Sequence, residues 1–153
     1  MGSSATFLVV CVVLFVGVQS CSLVFKDCGS KTGKVDAVNF NGTCNAEKQA
    51  ILKKGTSVQL QISLDSNDNS KQLASVVHGI IAGIPVKFPL GNPDACKGSN
   101  IVCPIQKGKK YTYSPVIEVK TSYPSLSLVV KWELQDDNSA DLICITIPVV
   151  IEN

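Results

Sequence analysis

Polar and apolar residues alternate one for one through three long segments, and that period of two confines the chain to sheets with one wet face. In TSVQLQISLD (56–65), Val58, Leu60, Ile62 and Leu64 alternate with Ser57, Gln59, Gln61 and Ser63. In YTYSPVIEVK (111–120), Tyr111, Tyr113, Ile117 and Val119 share one face, opposite Thr112, Ser114, Glu118 and Lys120. Leu126, Leu128, Val130, Trp132 and Leu134 do the same in SLSLVVKWELQ (125–135), with Val116 and Val129 as exceptions to the two patterns. Successive side chains of a strand point to opposite faces, so each apolar set marks a half-buried strand. Turn-forming clusters separate them: SNDNS (66–70), LGNPDAC (90–96) and DDNS (136–139). Strands near 23–26, 34–40, 56–65, 73–81, 84–88, 111–120, 125–135 and 141–151 add up to an all-β sandwich of two antiparallel sheets. AEKQAILKKG (46–55) is read as a short helical turn.

The N-terminus reads as an export signal. Phe7 to Val18 is uniformly apolar and too short for a membrane-spanning helix, which needs about 20 residues. Val18 and Ser20 are the small residues a signal peptidase requires, so residues 1–20 form the expected signal peptide and 21–153 one domain. The expected location is secreted, or the endosomal and lysosomal lumen. Cys21, Cys28, Cys44, Cys96, Cys103 and Cys144 then remain, an even set in an exported chain, which points to disulfides. Spacing alone leaves the pairing open.

Several function classes lack their chemistry. The chain has no CxxC and a single histidine, too few ligands for a zinc site. All 14 basic residues are lysines, scattered among 12 acids, so nothing suits nucleic acid. No GxSxG elbow occurs. Asp65, Asn67 and Asn69 begin like a calcium loop, but Ser70 and Val76 stand where Gly and Glu are required. Asp136 and Asp137 read as a hairpin turn. No cofactor is expected. Asn41-Gly42-Thr43 is a sequon for N-glycosylation of Asn41.

The stretch VVHGIIAGIPVKFPL (76–90) is almost wholly apolar. Val76 to Ile81 is read as a strand buried on both faces, with His78 as a core residue and Gly83 and Pro85 breaking the run. This stretch, with FKDCGS (25–30), DACKGSNIVCPIQKGKKYTY (94–113), YPSLSLVVKWELQDD (123–137) and CITIPV (144–149), resembles the ML lipid-recognition domain family. The resemblance covers nearly the whole of residues 21–153, in order.

It implies an immunoglobulin-like sandwich whose sheets part to admit a lipid, in a non-enzymatic carrier. It implies the pairs Cys28–Cys144 and Cys96–Cys103. Members usually carry two cysteines close together after the second strand, whereas Cys44 here has no such neighbour, and Cys21 is assigned as its partner because that leaves no odd thiol. Phe88, Val119, Tyr123 and Pro124 occupy positions that line the family's pocket. Ile145 stands where mammalian members have a tryptophan, a loss that would reshape the cavity. The implied partners are one sterol or other apolar lipid and a membrane or lipid-transporter receptor, with the carrier itself a monomer. A carrier or sensor of fatty acids, semiochemicals or other lipids is the alternative.

Overall fold

The computed structural model describes residues 20–153, so the expected signal peptide, residues 1–20, lies outside the described residues apart from Ser20. Eleven strands follow in chain order. The first five are β1 (Cys21–Ser22), β2 (Lys26–Asp27), β3 (Gly33–Phe40), β4 (Ala50–Lys53) and β5 (Thr56–Ser66). Next come β6 (Ala74–Ile81), β7 (Ile84–Phe88), β8 (Lys110–Tyr113), β9 (Val116–Val119), β10 (Leu126–Gln135) and β11 (Asp141–Glu152). One sheet runs β1-β3-β5-β8, with β9 also on β5; the other runs β2-β11-β10-β6-β7, with β4 on β11. All pairings are antiparallel except β4 with β11.

The alternation lands as expected on β5 and β10. Val58, Leu60, Ile62 and Leu64 share one buried core with Trp132 and Leu134 of the opposing sheet, and Trp132 is only 1% exposed. Packing these inner faces removes the apolar sets from water and supplies the main driving force for the sandwich. Val116 and Val129, the two breaks in the pattern, stay exposed. The DDNS turn forms between β10 and β11, where the Asp136 carboxylate accepts from the N–H groups of Asn138 (2.8 Å) and Ala140 (3.0 Å).

Four expectations are corrected. Residues 46–55 hold no helical turn; Asn45 and Gln49 make a tight turn, and Ala50–Lys53 then adds to the edge of β11 as β4. The single strand expected over 111–120 is two, β8 and β9, because Ser114 and Pro115 interrupt it and proline has no N–H for a ladder. The strand expected at 23–26 is instead mostly the link from β1 on one sheet to β2 on the other: residues 23–25 are in no strand, only Lys26 joins β2, and Leu23 is buried at the crossing. Finally, β6 is not buried on both faces. Val77 points inward, whereas Val76, His78 and Ile80 are only half-buried on the outer face, and Ile84 and Val86 of β7 are 66% and 51% exposed. The apolar run reflects an overhanging sheet edge, since β7 extends past the cover of the opposing sheet.

Three disulfides tie the domain: Cys21–Cys44, Cys28–Cys144 and Cys96–Cys103. Cys28, just past the end of β2, is bonded to Cys144 of the adjacent β11, and Cys96–Cys103 closes a loop of sequence separation 7. Cys21–Cys44 alone links the two sheets, joining β1 to the segment that enters β4 with a Cα–Cα distance of 6.3 Å. It staples the edge of the sandwich opposite the β7–β9 edge.

Candidate functional site: a dry cavity at the open edge

The inward residues of β6, β9, β10 and β11 do not fill the space between the sheets. They leave a cavity of about 70 Å³ bordered by Val77, Gly79, Ile117, Val119, Leu128 and Trp132, with no polar atom exposed inside it. A smaller void of about 30 Å³ adjoins it, sharing Leu52, Ile117, Val130, Trp132 and Val149. Cavities walled by hydrocarbon alone stay dry, because a water there would find no hydrogen-bond partner. Gly79 contributes by lacking a side chain: a Cβ there would stand 2.9 Å from Leu128 Cδ1.

The cavity ends at two aromatic rings. Phe88 of β7 and Tyr123, from the turn between β9 and β10, meet edge to face with centroids 5.7 Å apart. Both rings border the cavity and also two surface grooves of about 510 and 340 Å³. They therefore stand between the interior and solvent. Beyond them Ile81, Ile84 and Val86 project from the inner face of the β6–β7 hairpin, past the other sheet, as an exposed apolar lip.

Three of the expected pocket residues are brought together: Phe88, Val119 and Tyr123 all border the cavity. Two are not. Pro124 lies outside the ring pair, in the smaller groove beside Leu126. Ile145 is fully buried and pairs with Trp132 across the β10–β11 ladder, so it packs the core and forms no part of the cavity wall. Leu128 and Val130 went unassigned although they share the inward parity of Trp132. Leu52 was hidden by the expectation of a helical turn.

His78 is not a core residue. The parity of β6 turns it to the outer face, where Nδ1 lies 4.0 Å from Glu133 Oε2, while the other carboxylate oxygen of Glu133 pairs with Lys131 at 3.0 Å. Asp141 is adjacent, its carboxyl held above the ordinary value by burial and then by the charge of Glu133. Glu133 and Asp141 also approach Cys144, but that sulfur is in a disulfide, so the group is no metal centre. Deeper in the core, burial raises the Tyr113 hydroxyl, offset in part by its hydrogen bond to Ser75. Asn41 is exposed at the end of β3, its side-chain oxygen accepting from Gln59 N–H at 2.7 Å.

An all-β sandwich whose two sheets enclose an apolar chamber with an aromatic pair at its mouth defines a hydrophobic-ligand binding domain. Residues 22–151 match the ML domain, and the chain belongs to that family. It is 43% identical over 140 residues to NPC intracellular cholesterol transporter 2 homolog a of Drosophila melanogaster, covering 92% of each chain. It is 47% identical to NPC intracellular cholesterol transporter 2 of Sus scrofa, over 84% of this chain and 85% of the relative. The ecdysteroid-regulated 16 kDa protein of Manduca sexta is 37% identical, over 93% and 96%. Among solved structures, a Niemann-Pick type C2 protein from the Japanese carpenter ant superimposes with a TM-score of 0.79. It is 26% identical and covers 84% of this chain and 99% of the ant chain.

Proposed function

We propose that this protein is a secreted, non-enzymatic carrier that takes one sterol between its sheets and hands it to a membrane or a receptor protein. The observation that carries the reading is the dry cavity closed by Phe88 and Tyr123 at the open edge of the sandwich. Two relatives are named as cholesterol transporters, which supports a sterol as cargo.

The cavity of about 70 Å³ is far below the roughly 300–1,000 Å³ of drug-sized ligand pockets. Loading therefore requires the sheets to separate. The Cys21–Cys44 bond holds the far edge, so separation falls on the β7–β9 edge, where the ring pair sits. The cost of parting is met by burying the lipid. A sterol of about 28 non-hydrogen atoms at roughly 0.3 kcal/mol each gives about 8 kcal/mol, a micromolar Kd. That affinity suits a carrier that must release its cargo. The exposed lip of Ile81, Ile84 and Val86 is placed to meet a membrane or receptor during that release.

Titration of the protein with the fluorescent sterol dehydroergosterol tests this, with cholesterol and oleic acid as competitors. Saturable micromolar binding displaced by cholesterol is expected. Displacement by oleic acid alone would support the fatty-acid carrier instead. The protein is expected to be a monomer and, in a eukaryotic host, to carry a glycan on Asn41.

A further inference from the structure

Histidine is the residue type whose ordinary titration falls between about pH 5 and 8, and this chain has a single one. His78 stands on the outer face of β6, in register with Lys131 of β10 on one side and Lys87 of β7 on the other. Its Nδ1 is buried, makes no hydrogen bond and lies 4.0 Å from Glu133 Oε2. A neutral ring can leave that nitrogen bare, whereas a protonated ring carries an N–H there. Glu133 is the carboxylate beside it, and Asp141 of β11 neighbours Glu133 in turn.

The place of this contact gives it a consequence. β7 is the end strand of its sheet and joins it through β6 alone. Among the described residues, no other ion pair joins two strands of this sheet. The β6–β7 hairpin brings Val77, Gly79 and Phe88 to the cavity, so His78 and Glu133 meet where that wall is fastened to β10.

We propose that His78 and Glu133 form an acid-strengthened clasp, in which protonated His78 donates from Nδ1 to Glu133 Oε2 and holds the β6–β7 wall to β10 more firmly in acid than at neutral pH. Two lysines oppose the new charge. Lys131 is already paired with the other oxygen of Glu133 at 3.0 Å. Lys87 is exposed, where water and salt screen it. The Glu133 side chain is only 10% exposed, so its attraction is screened less and sets the sign. Burial, and then the charge of Glu133, raise the Asp141 carboxyl. Asp141 therefore takes up a proton more readily than an ordinary carboxyl, which leaves Glu133 as the charged member of the pair.

Urea unfolding followed through Trp132 fluorescence at about pH 5 and about pH 7.5 tests the clasp in wild type, His78→Gln, Glu133→Gln and the double variant. His78→Gln is expected to lower the folding constant about fivefold more at the acid pH, the upper end for a partly exposed ion pair. In the Glu133→Gln background the same substitution should cost equally at both pH values. An equal cost in the presence of Glu133, or a smaller one in acid, would overturn the clasp; the second result would mean that lysine repulsion prevails. Hydrogen exchange of the wild-type protein gives an answer even where a variant does not fold. Protection of the β6 and β7 amides relative to those of β3 should rise about fivefold from neutral to acid pH, and an unchanged or falling ratio would overturn the proposal.

Discussion

Phe88 and Tyr123 meet edge to face, 5.7 Å between centroids and 63° between planes, at the one point where the interior cavity and both outer grooves converge. Such a pair contributes about 0.5–1.5 kcal/mol beyond the area it buries, enough to close a chamber and small enough to be displaced by an entering lipid. Phe88→Ala removes one leaf of this closure and a wall of the loaded site. Sterol affinity is expected to fall about tenfold with the fold retained, as read by dehydroergosterol titration beside circular dichroism. Unchanged affinity would show that the lipid enters elsewhere.

Val119 is buried at 3% exposure and faces the cavity from β9. Val119→Phe places a ring in the space that the lipid needs. Overpacking a core typically costs about 1–3 kcal/mol, so the variant should fold with a lowered melting temperature. Its sterol binding is expected to drop by more than that of Phe88→Ala. A folded Val119→Phe protein with wild-type affinity would place the cargo outside this chamber.

Cys21 and Cys44 connect the sheets across a sequence separation of 23. Loop-closure entropy for that length stabilises the fold by about 3 kcal/mol. Cys21→Ala/Cys44→Ala should lower the urea midpoint accordingly and loosen the edge opposite the mouth. Sterol binding should persist, because neither sulfur borders the cavity. A free Cys44 thiol in mass mapping of the wild-type protein would contradict the pairing.

Asp141 binds its proton more tightly in the folded chain than in the unfolded one, because burial and Glu133 raise its carboxyl above the ordinary value. The sign follows from linkage: this contribution is complete below the unfolded-state value and is lost as pH rises through the raised folded-state value. Asp141→Asn is therefore expected to flatten the fall in stability as pH rises above the ordinary carboxyl range of about 4. Urea midpoints followed through Trp132 fluorescence measure it. Parallel curves for variant and wild type would show that Asp141 does not titrate abnormally.

The long alternating segments were readable because each burial pattern repeats over many residues, as in Val58 to Leu64 and Leu126 to Leu134. Ala50–Lys53 was not. Four residues carry too little period to separate strand from helix, and the partner that decides, Val149–Glu152, lies at the far end of the sequence. His78 was misplaced for a related reason: its outer-face neighbours Val76 and Ile80 are also apolar, so the run hides which parity faces inward. Phe88, Val119 and Tyr123 came from the family likeness, and only Val119 also followed from parity. The meeting of Phe88 with Tyr123 depends on the closure of two sheets and has no local signal.

Native mass spectrometry with cholesterol addresses the central claim most directly. Wild-type protein incubated with micromolar-range cholesterol should show one added sterol per chain, and Val119→Phe should show none. Folded wild-type protein that remains lipid-free under those conditions, or that carries sterol equally well with the Val119→Phe substitution, would contradict a carrier that holds its cargo between the sheets.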